Sequence, residues 1–285
     1  MTATVRPVSA SLGAKVMGID LSESLSDNLW GIVDSAFLEH KILVFPDQDI
    51  TPERHVAFSR HFGDLETHVL TNNLMEGLPE VYVLSNVVDA DGTKKGRPRA
   101  GMYWHTDLSY QEIPSLGSIM YAHEVPEVGG DTMFANLEKA YEGLSDLMRE
   151  MIAELRVEHD FNWGYRNVVR RIPNTEEIAQ EQLDARPPVV HPLVRTHPET
   201  GRKSLYVSPG FAAAIVGMEY EESQAMLGFL NRHASRPEYV YRHRWTAHDV
   251  VMWDNRCTMH HAVDDYDSSS RRHMHRTTVT GVKPS

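Results

Sequence analysis

YVYRHRWTAHDVVMWDNRCTMHHAV (239–263) contains three short runs rich in apolar, aromatic and β-branched residues. Each run ends at polar, turn-forming residues, and this pattern predicts short β-strands connected by turns. A fourth run of the same kind, HRTTVTGV (275–282), follows near the end of the chain. Short strands in close succession are typical of barrels and jelly rolls.

The same kind of run recurs in the first two thirds of the chain. We predict strands at ILVFPDQ (42–48), EVYVLSNVV (80–88), MYWHTDLSY (102–110) and SIMYAHEV (118–125), and a hairpin formed by HPLVRTH (191–197) and KSLYVS (203–208). Helical spacing of apolar residues predicts helices at 22–41, 51–63, 135–155 and 219–235. The predicted fold is therefore α+β, mainly β, with a barrel or jelly-roll core covered by helices.

The chain is predicted to form one domain. Its 285 residues contain neither an internal repeat nor a flexible linker, so residues 1–285 are assigned to a single unit. Two polar stretches without clear periodicity, 89–101 and 161–190, are interpreted as loops or an insert.

Composition and charge limit the classes of partner. Lys and Arg number 28 against 40 Asp and Glu, which gives a formal net charge of -12. Nucleic acids and anionic membranes require a basic surface, so neither is expected as the main partner, although a local pocket for a small anion is compatible with this charge. Cys257 is the sole cysteine, and no apolar run has the length of a signal peptide or a membrane span. We therefore expect a cytoplasmic protein.

YWHTDLSY (103–110) carries a histidine and an aspartate two residues apart. In a strand, His105 and Asp107 would point to one face and could bind one ion. The motif alone is weak evidence, because short motifs of this kind often occur without a metal. A third ligand is available in CTMHHAV (257–263), where either His260 or His261 can face the site but not both.

Two histidines and one carboxylate with open positions form the facial triad of non-haem Fe(II) oxygenases, and zinc can take the same ligands. SRRHMHRTTV (270–279) bears on this choice, because Arg272 and Arg276 would share one strand face. Arginine is rarely buried without an anion, so the pair indicates two carboxylate-binding positions, one for a co-substrate and one for a substrate. The alternative is an exposed cationic strand.

Several motifs occur together in the order found in a known family. They are AFSRHFGDLE (57–66), WHTD (104–107), GGDTMF (129–134), HPLVRTHPETGRKSLYV (191–207), VMWDNRCTMHHAV (251–263) and RRHMHRTTV (271–279). Through them nearly the whole chain resembles the family of Fe(II)/2-oxoglutarate oxygenases that includes taurine dioxygenase and the aryloxyacetate dioxygenases. The resemblance implies a double-stranded β-helix (a jelly roll) with flanking α-helices, and it implies that 89–101 and 161–190 lie near the active site.

The resemblance also implies roles for individual residues. The iron ligands would be His105, Asp107 and His260, which selects the first histidine of the pair. Thr132 and Arg272 would bind 2-oxoglutarate. The candidate substrate-binding residues are Arg276, His68, Arg195, His197, Lys95 and Phe211. No catalytic residue beyond the iron centre is implied.

The implied reaction consumes 2-oxoglutarate and O₂ at Fe(II), releases succinate and CO₂, and hydroxylates a small organic anion. Similarity to the aryloxyacetate enzymes favours an aryloxyalkanoate or similar carboxylate, which would be cleaved at its ether bond. A sulfonate or alkyl sulfate ester is the alternative, and a zinc hydrolase on the same triad or a non-catalytic jelly-roll binding protein is more remote. A homodimer or homotetramer is expected by resemblance.

Overall fold

An eight-stranded sheet forms one side of the molecule in the computed structural model, which describes residues 3–68, 71–98, 100–172, 177–267 and 269–285. Its strands, in sheet order, are β1 (Thr4–Pro7), β2 (Ala14–Met17), β3 (Ile42–Phe45), β14 (Val250–Asp254), β6 (Ser115–Glu124), β16 (His273–Thr280), β5 (Leu78–Ser85) and β4 (Leu74–Met75). Only β2 and β3 run parallel within this order. The fold confirms the predicted jelly roll, because long crossovers place strands from both ends of the chain side by side.

Three smaller sheets complete the strand set. Two of them have three strands: β13 (Val240–His243), β7 (Thr132–Asn136) and β15 (Thr258–Ala262) in the first, and β12 (Ala212–Ile215), β8 (Arg156–His159) and β9 (Val189–Pro192) in the second. The predicted hairpin is present as β10 (Val194–Thr196) and β11 (Lys203–Leu205).

The helices of the described ranges lie around these sheets. They are α1 (Asp27–His40), α2 (Pro52–Ser59), α3 (Leu137–Glu142), α4 (Asp146–Ile152), α5 (Phe161–Asn167), α6 (Gln180–Asp184) and α7 (Tyr220–Ala234), with 3₁₀ turns at Arg60–Phe62, Thr71–Asn73, Val169–Arg171 and Pro237–Tyr239. In the same ranges we find no helix that combines the length and the apolar character needed to cross a membrane.

Strand β14 shows how the large sheet divides the core. Every residue of β14 is buried, and successive side chains point to opposite faces. Val251 and Trp253 pack towards the β13–β7–β15 sheet, whereas Val250 and Met252 pack with residues of α1 and α2. The sheet is therefore covered on both faces, and the inner face is the one that meets the smaller sheet.

Two predictions about elements were wrong, and a third stretch contains more regular structure than the sequence indicated. Residues 102–110 do not form a strand; within them only His105 makes a single β-bridge, to His260, and a turn follows. The helix predicted at 135–155 is broken into α3 and α4: Gly143 is the C-cap of the first, and Ser145 caps the second by accepting from the Met148 N–H. The stretch 161–190 is not simply a loop, since it contains α5, α6 and the start of β9.

Candidate active site

Backbone pairing brings two histidines together in a cavity between the sheets. The His105 N–H donates to the His260 carbonyl at 2.9 Å, and the His260 N–H donates to the His105 carbonyl at 2.8 Å. The two imidazole rings lie on the same side of this bridge, with centroids 4.1 Å apart. The shared side follows from the reciprocal pairing and not from a strand around His105.

Strand alternation places His260, and not His261, in this cavity. His260 lies opposite Phe134 in the β15–β7 ladder and packs against Trp253, with ring centroids 4.9 Å apart. His261 points away from the cavity and lies against Trp104, at 5.7 Å between ring centroids.

Asp107 completes a buried group of three ligand atoms that all lie within 4.8 Å of one another. Its Oδ1 is 3.7 Å from His105 Nε2, and its Oδ2 is 3.8 Å from His260 Nε2. Arg276 Nη1 donates to Oδ1 at 3.0 Å, and Ser118 Oγ donates to Oδ2 at 2.8 Å. These contacts fix the carboxylate between the two rings.

The protonation states suit a cation. Burial raises the pKa of Asp107, but the Arg276 guanidinium and then His260 and His105 outweigh it and hold that pKa below its usual range. Burial lowers the pKa of both histidines. The group therefore offers an ionised carboxylate and two neutral imidazoles near neutral pH.

The tautomer of His105 is set by its neighbour. His105 Nδ1 donates to the Tyr103 carbonyl oxygen at 2.8 Å, which leaves Nε2 without a proton and directed at Asp107. A histidine that ligates a metal usually donates its other N–H in this way. The donor set is thus two imidazole nitrogens and one carboxylate, which fits the facial triad of non-haem iron.

Arg272 lines the same cavity and forms no ion pair with the described residues. Its backbone is fixed by Asn86, whose Oδ1 accepts from the Arg272 N–H at 2.8 Å. Burial lowers the pKa of the guanidinium, which shows the cost of holding its charge there. An unpaired cation on the wall of a buried cavity is a binding position for an anion.

Thr132 also lines this cavity, at the start of β7. Its Oγ1 accepts from Trp245 Nε1 at 2.9 Å, so the hydroxyl hydrogen remains available for donation into the cavity. Thr132 and Arg272 therefore present two donors to the cavity.

His68 and Phe211 lie in the cavity wall as well. His68 stacks on Tyr82 with ring centroids 4.0 Å apart, and Tyr82 in turn lies under the Arg276 guanidinium at 5.5 Å. Burial, with the positive charges of Arg276 and Arg97, lowers the pKa of His68 to about 3. His68 is therefore a neutral ring in the same part of the cavity as Arg276.

The comparisons with known proteins agree with this geometry. Residues 4–278 match the Taurine catabolism dioxygenase TauD, TfdA family. The chain is 34% identical over 278 residues to the (S)-phenoxypropionate/alpha-ketoglutarate-dioxygenase of Sphingobium herbicidovorans, covering 97% of this chain and 94% of that protein. The chain belongs to the TauD/TfdA family of dioxygenases.

Two further similarities extend the comparison. An alkylsulfatase of Acinetobacter baylyi is 31% identical over 280 residues, covering 97% of this chain and 84% of that protein. The crystal structure of AAD-2 in complex with Mn(II) and N-oxalylglycine superposes with a TM-score of 0.83 at 37% identity, covering 100% of this chain and 99% of that one. This TauD/TfdA member is an alpha-ketoglutarate-dependent dioxygenase, an oxidoreductase that uses Fe(II) and 2-oxoglutarate.

Three residues expected to bind the dioxygenase's substrate do not line the cavity. Arg195 is fully buried, with its guanidinium over the Tyr206 ring at 5.2 Å. Lys95 lies on the exposed loop, where its Nζ is 3.1 Å from Asp89 Oδ1. His197, the third, is likewise absent from the cavity lining. A direct contact of these side chains with a substrate is therefore not supported, and the expectation is corrected.

His197 has a different structural role. Its Nδ1 accepts from the backbone N–H groups of Glu199 and Thr200, each at 3.2 Å, and so closes the turn between β10 and β11. Its Nε2 therefore carries the proton and donates to Asp254 Oδ2 at 3.0 Å. Both ring nitrogens are occupied, which leaves none for a ligand.

The cavity also has an aromatic wall that was not predicted from the sequence. Its rings, together with that of Phe211, belong to Tyr103, Tyr110, Phe161 and Tyr165. Phe161 and Phe211 each lie near Tyr110, with ring centroids 4.7 Å apart in both cases. The signal was present in FNWGY (161–165), where three of five residues are aromatic within an otherwise polar stretch.

A glycine allows this wall to form. A Cβ at Gly164 would lie 2.2 Å from the carbonyl oxygen of Gly210, so only glycine lets α5 approach the chain beside Phe211 so closely.

Proposed function

We propose that this dioxygenase oxidises a small aryl-substituted organic anion, with an aryloxyalkanoate as the preferred substrate. One observation carries the proposal: a single cavity combines the His105, Asp107 and His260 donor set with two arginines and a cluster of aromatic rings. A substrate with an acidic end and a flat apolar end matches such a cavity.

In this proposal His105, Asp107 and His260 hold Fe(II), while Arg272 and Thr132 hold the distal carboxylate of 2-oxoglutarate. When bound, the iron and 2-oxoglutarate supply an O₂-dependent oxidation that releases succinate and CO₂. The residues of the chain position the reactants and keep bulk water away from them. Ser118 and Arg276 contribute by fixing the orientation of the Asp107 carboxylate.

The acidic end of the substrate is assigned to Arg276 and His68. Arg276 uses Nη1 for Asp107, but its buried Nε has no hydrogen-bond partner among the described residues. A buried donor without a partner costs free energy, so an anion that accepts from it is stabilised. His68 is the second residue assigned to this end, because it stacks on Tyr82, the ring that also lies under the Arg276 guanidinium.

The aryl end is assigned to the aromatic wall. Offset and edge-to-face contacts between rings are worth about 0.5–1.5 kcal/mol each beyond the area buried. A ring held there and a carboxylate held at Arg276 would place the connecting carbon near the iron position. Hydroxylation of the carbon next to the ether oxygen makes a hemiacetal-type product, which decomposes to a phenol and a keto acid.

A sulfonate or an alkyl sulfate ester is the second candidate. Its support is the alkylsulfatase among the relatives, since Arg276 can pair with a sulfur oxyanion as well as with a carboxylate. The aromatic wall favours the aryl substrate over an alkyl chain.

The test is succinate formation by the purified enzyme with Fe(II), 2-oxoglutarate and O₂. The substrates to compare are both enantiomers of an aryloxypropionate, an aryloxyacetate, an alkyl sulfate and a sulfonate. We expect the highest kcat/KM with an aryloxyalkanoate and one phenol released per succinate. A higher kcat/KM with the alkyl sulfate or the sulfonate would reverse the order of the two candidates.

A single domain, a homodimeric or homotetrameric assembly, a cytoplasmic location and the absence of a nucleic-acid or membrane partner stay predictions from the sequence. Because the chain belongs to the dioxygenase family, the zinc hydrolase and the non-catalytic binding protein are no longer alternatives.

A further inference from the structure

A second group of three histidines lies outside the cavity, on the outer face of the large sheet. His123 is near the end of β6, and His273 and His275 are in β16. Strand alternation sends Arg276 and Met274 inwards, so His273 and His275 point outwards, as His123 does on the neighbouring strand. One ligand nitrogen from each histidine lies within 4.8 Å of those of the other two.

A β-bulge helps to bring these rings together. His273 pairs with Glu124, whereas Met274 pairs with Ala122, so His123 is the extra residue on its strand. Bulges re-aim side chains and are frequent next to functional sites. The ring centroid of His123 lies 4.0 Å from that of His275 and 5.2 Å from that of His273.

The nitrogens are spaced for a shared ion. His123 Nε2 and His275 Nδ1 form a hydrogen bond at 2.7 Å, which a bound ion would replace. Two nitrogens that bind one zinc ion tetrahedrally are separated by about 3.3 Å, which follows from Zn–N distances near 2.0 Å. His273 Nδ1 is buried and has no hydrogen-bond partner in the described part of the chain. A bound ion would require these rings to rotate until the three nitrogens point at one position.

All three imidazoles are neutral near pH 7, which is the form that ligates metals. Burial, followed by the neighbouring histidines His273 and His248, lowers the pKa of His123 to about 4. Burial and then His123 and His273 lower the pKa of His275 to about 2. Burial also lowers the pKa of His273, although Glu124 raises it in part.

We propose that His123, His273 and His275 form a second metal site, separate from the iron triad, for a divalent cation that prefers imidazole nitrogen. Zn²⁺ is the first choice, because three neutral nitrogens with no carboxylate among them suit Zn²⁺ better than Mg²⁺, Ca²⁺ or Mn²⁺. His123 and His273 are only half-buried, so the ion can enter from solvent and keep water as a fourth ligand.

The position of this site gives it a structural consequence. Arg276 in β16 and Arg272 just before this strand line the cavity, and the histidines lie on the opposite face of the same segment. An ion bound by His123, His273 and His275 ties β16 to β6 directly behind the two arginines. Because the ion binds only the folded chain, it raises the stability of the protein by mass action.

The experiment is a count of bound Zn²⁺ by elemental analysis after equilibrium dialysis of the metal-free, full-length chain. We expect two equivalents in the wild type and one in the His105→Ala/Asp107→Ala variant, which loses only the triad site. His273→Gln should also bind one equivalent. Adding Zn²⁺ to the triad variant should raise its Tm by several degrees, and this rise should vanish when His273→Gln is added.

The matched control is His61→Gln, which removes an exposed histidine far from both groups and should leave two equivalents bound. His123→Gln provides a second test, should His273→Gln fail to give the circular dichroism spectrum of the folded protein. A single equivalent in the wild type, or two equivalents in both His273→Gln and His123→Gln, would overturn the proposal.

Discussion

The two sides of the cavity are built in different ways. The polar side, with His105, Asp107, His260, Arg272 and Thr132, is fixed by the backbone pairing of His105 with His260 and by side-chain hydrogen bonds of His105, Asp107 and Thr132. The aromatic side, with Phe161, Tyr165 and Phe211 among its rings, is held by packing between a short helix and a loop. This difference indicates two separate roles. The polar side determines the reaction, and the aromatic side selects the substrate.

The largest effect is expected from removing a metal ligand on the polar side. His105→Ala should reduce succinate formation to background, because the metal loses one of two imidazole ligands that no nearby described side chain can replace. The matched control is His261→Gln, next to the ligand His260 but outside the cavity, which should retain near wild-type activity. The measurement is succinate release with Fe(II) in excess. Equal loss in both variants would mean that the fold, and not the ligand, was affected.

The next effect concerns the two neighbouring arginines at the start of β16. Arg272→Gln should raise the KM for 2-oxoglutarate by about 10- to 100-fold, since a hydrogen bond to a charged group contributes about 1.5–3 kcal/mol. The substrate KM should change little.

Arg271→Gln is its control, because Arg271 is exposed and pairs with Glu124 at the surface. Steady-state kinetics with each co-substrate varied separately would distinguish the two variants. An increase in the KM of the organic substrate alone would show that Arg272 and Arg276 have exchanged roles.

The smallest effect is expected on the aromatic side. Phe211→Leu keeps the apolar volume but loses ring contacts worth about 0.5–1.5 kcal/mol, so the KM for an aryl substrate should rise about 2- to 10-fold. The KM for 2-oxoglutarate should be unchanged. Phe229→Leu, at a partly exposed position on α7, serves as the control. A parallel rise in both KM values would contradict the division between the two sides.

The residues of the polar side could be predicted from the sequence, whereas those of the aromatic side, apart from Phe211, could not. The polar side was predicted because its chemistry depends on residue types at short spacings, such as His105 and Asp107. The prediction that their side chains point to one face because both lie in a β-strand was wrong. His105 lies at a single β-bridge, and Asp107 lies in the turn that follows. A pairing between residues as distant in sequence as His105 and His260 is not visible in local patterns.

The aromatic side could not be predicted as a wall. Helix α5 has seven residues and α6 has five, which is too short for helical periodicity to stand out. Apolar rings also carry no chemical signature that separates a substrate wall from an ordinary core. The predicted contacts of Arg195 and His197 with the substrate are not seen for a related reason. The directions of these side chains depend on where the β10–β11 hairpin packs, and not on the sequence of the hairpin itself.

The measurement that tests the central claim most directly is an anaerobic titration of the metal-free protein with Fe(II) and 2-oxoglutarate. The weak visible charge-transfer band of the iron chelate reports binding of both to one site. We predict a band that saturates at one 2-oxoglutarate per chain, shifts when an aryloxyalkanoate is added, and disappears with formation of succinate when O₂ is admitted. Absence of the band, or a band of wild-type strength in Asp107→Ala, would contradict the assignment of this cavity as the iron and 2-oxoglutarate site.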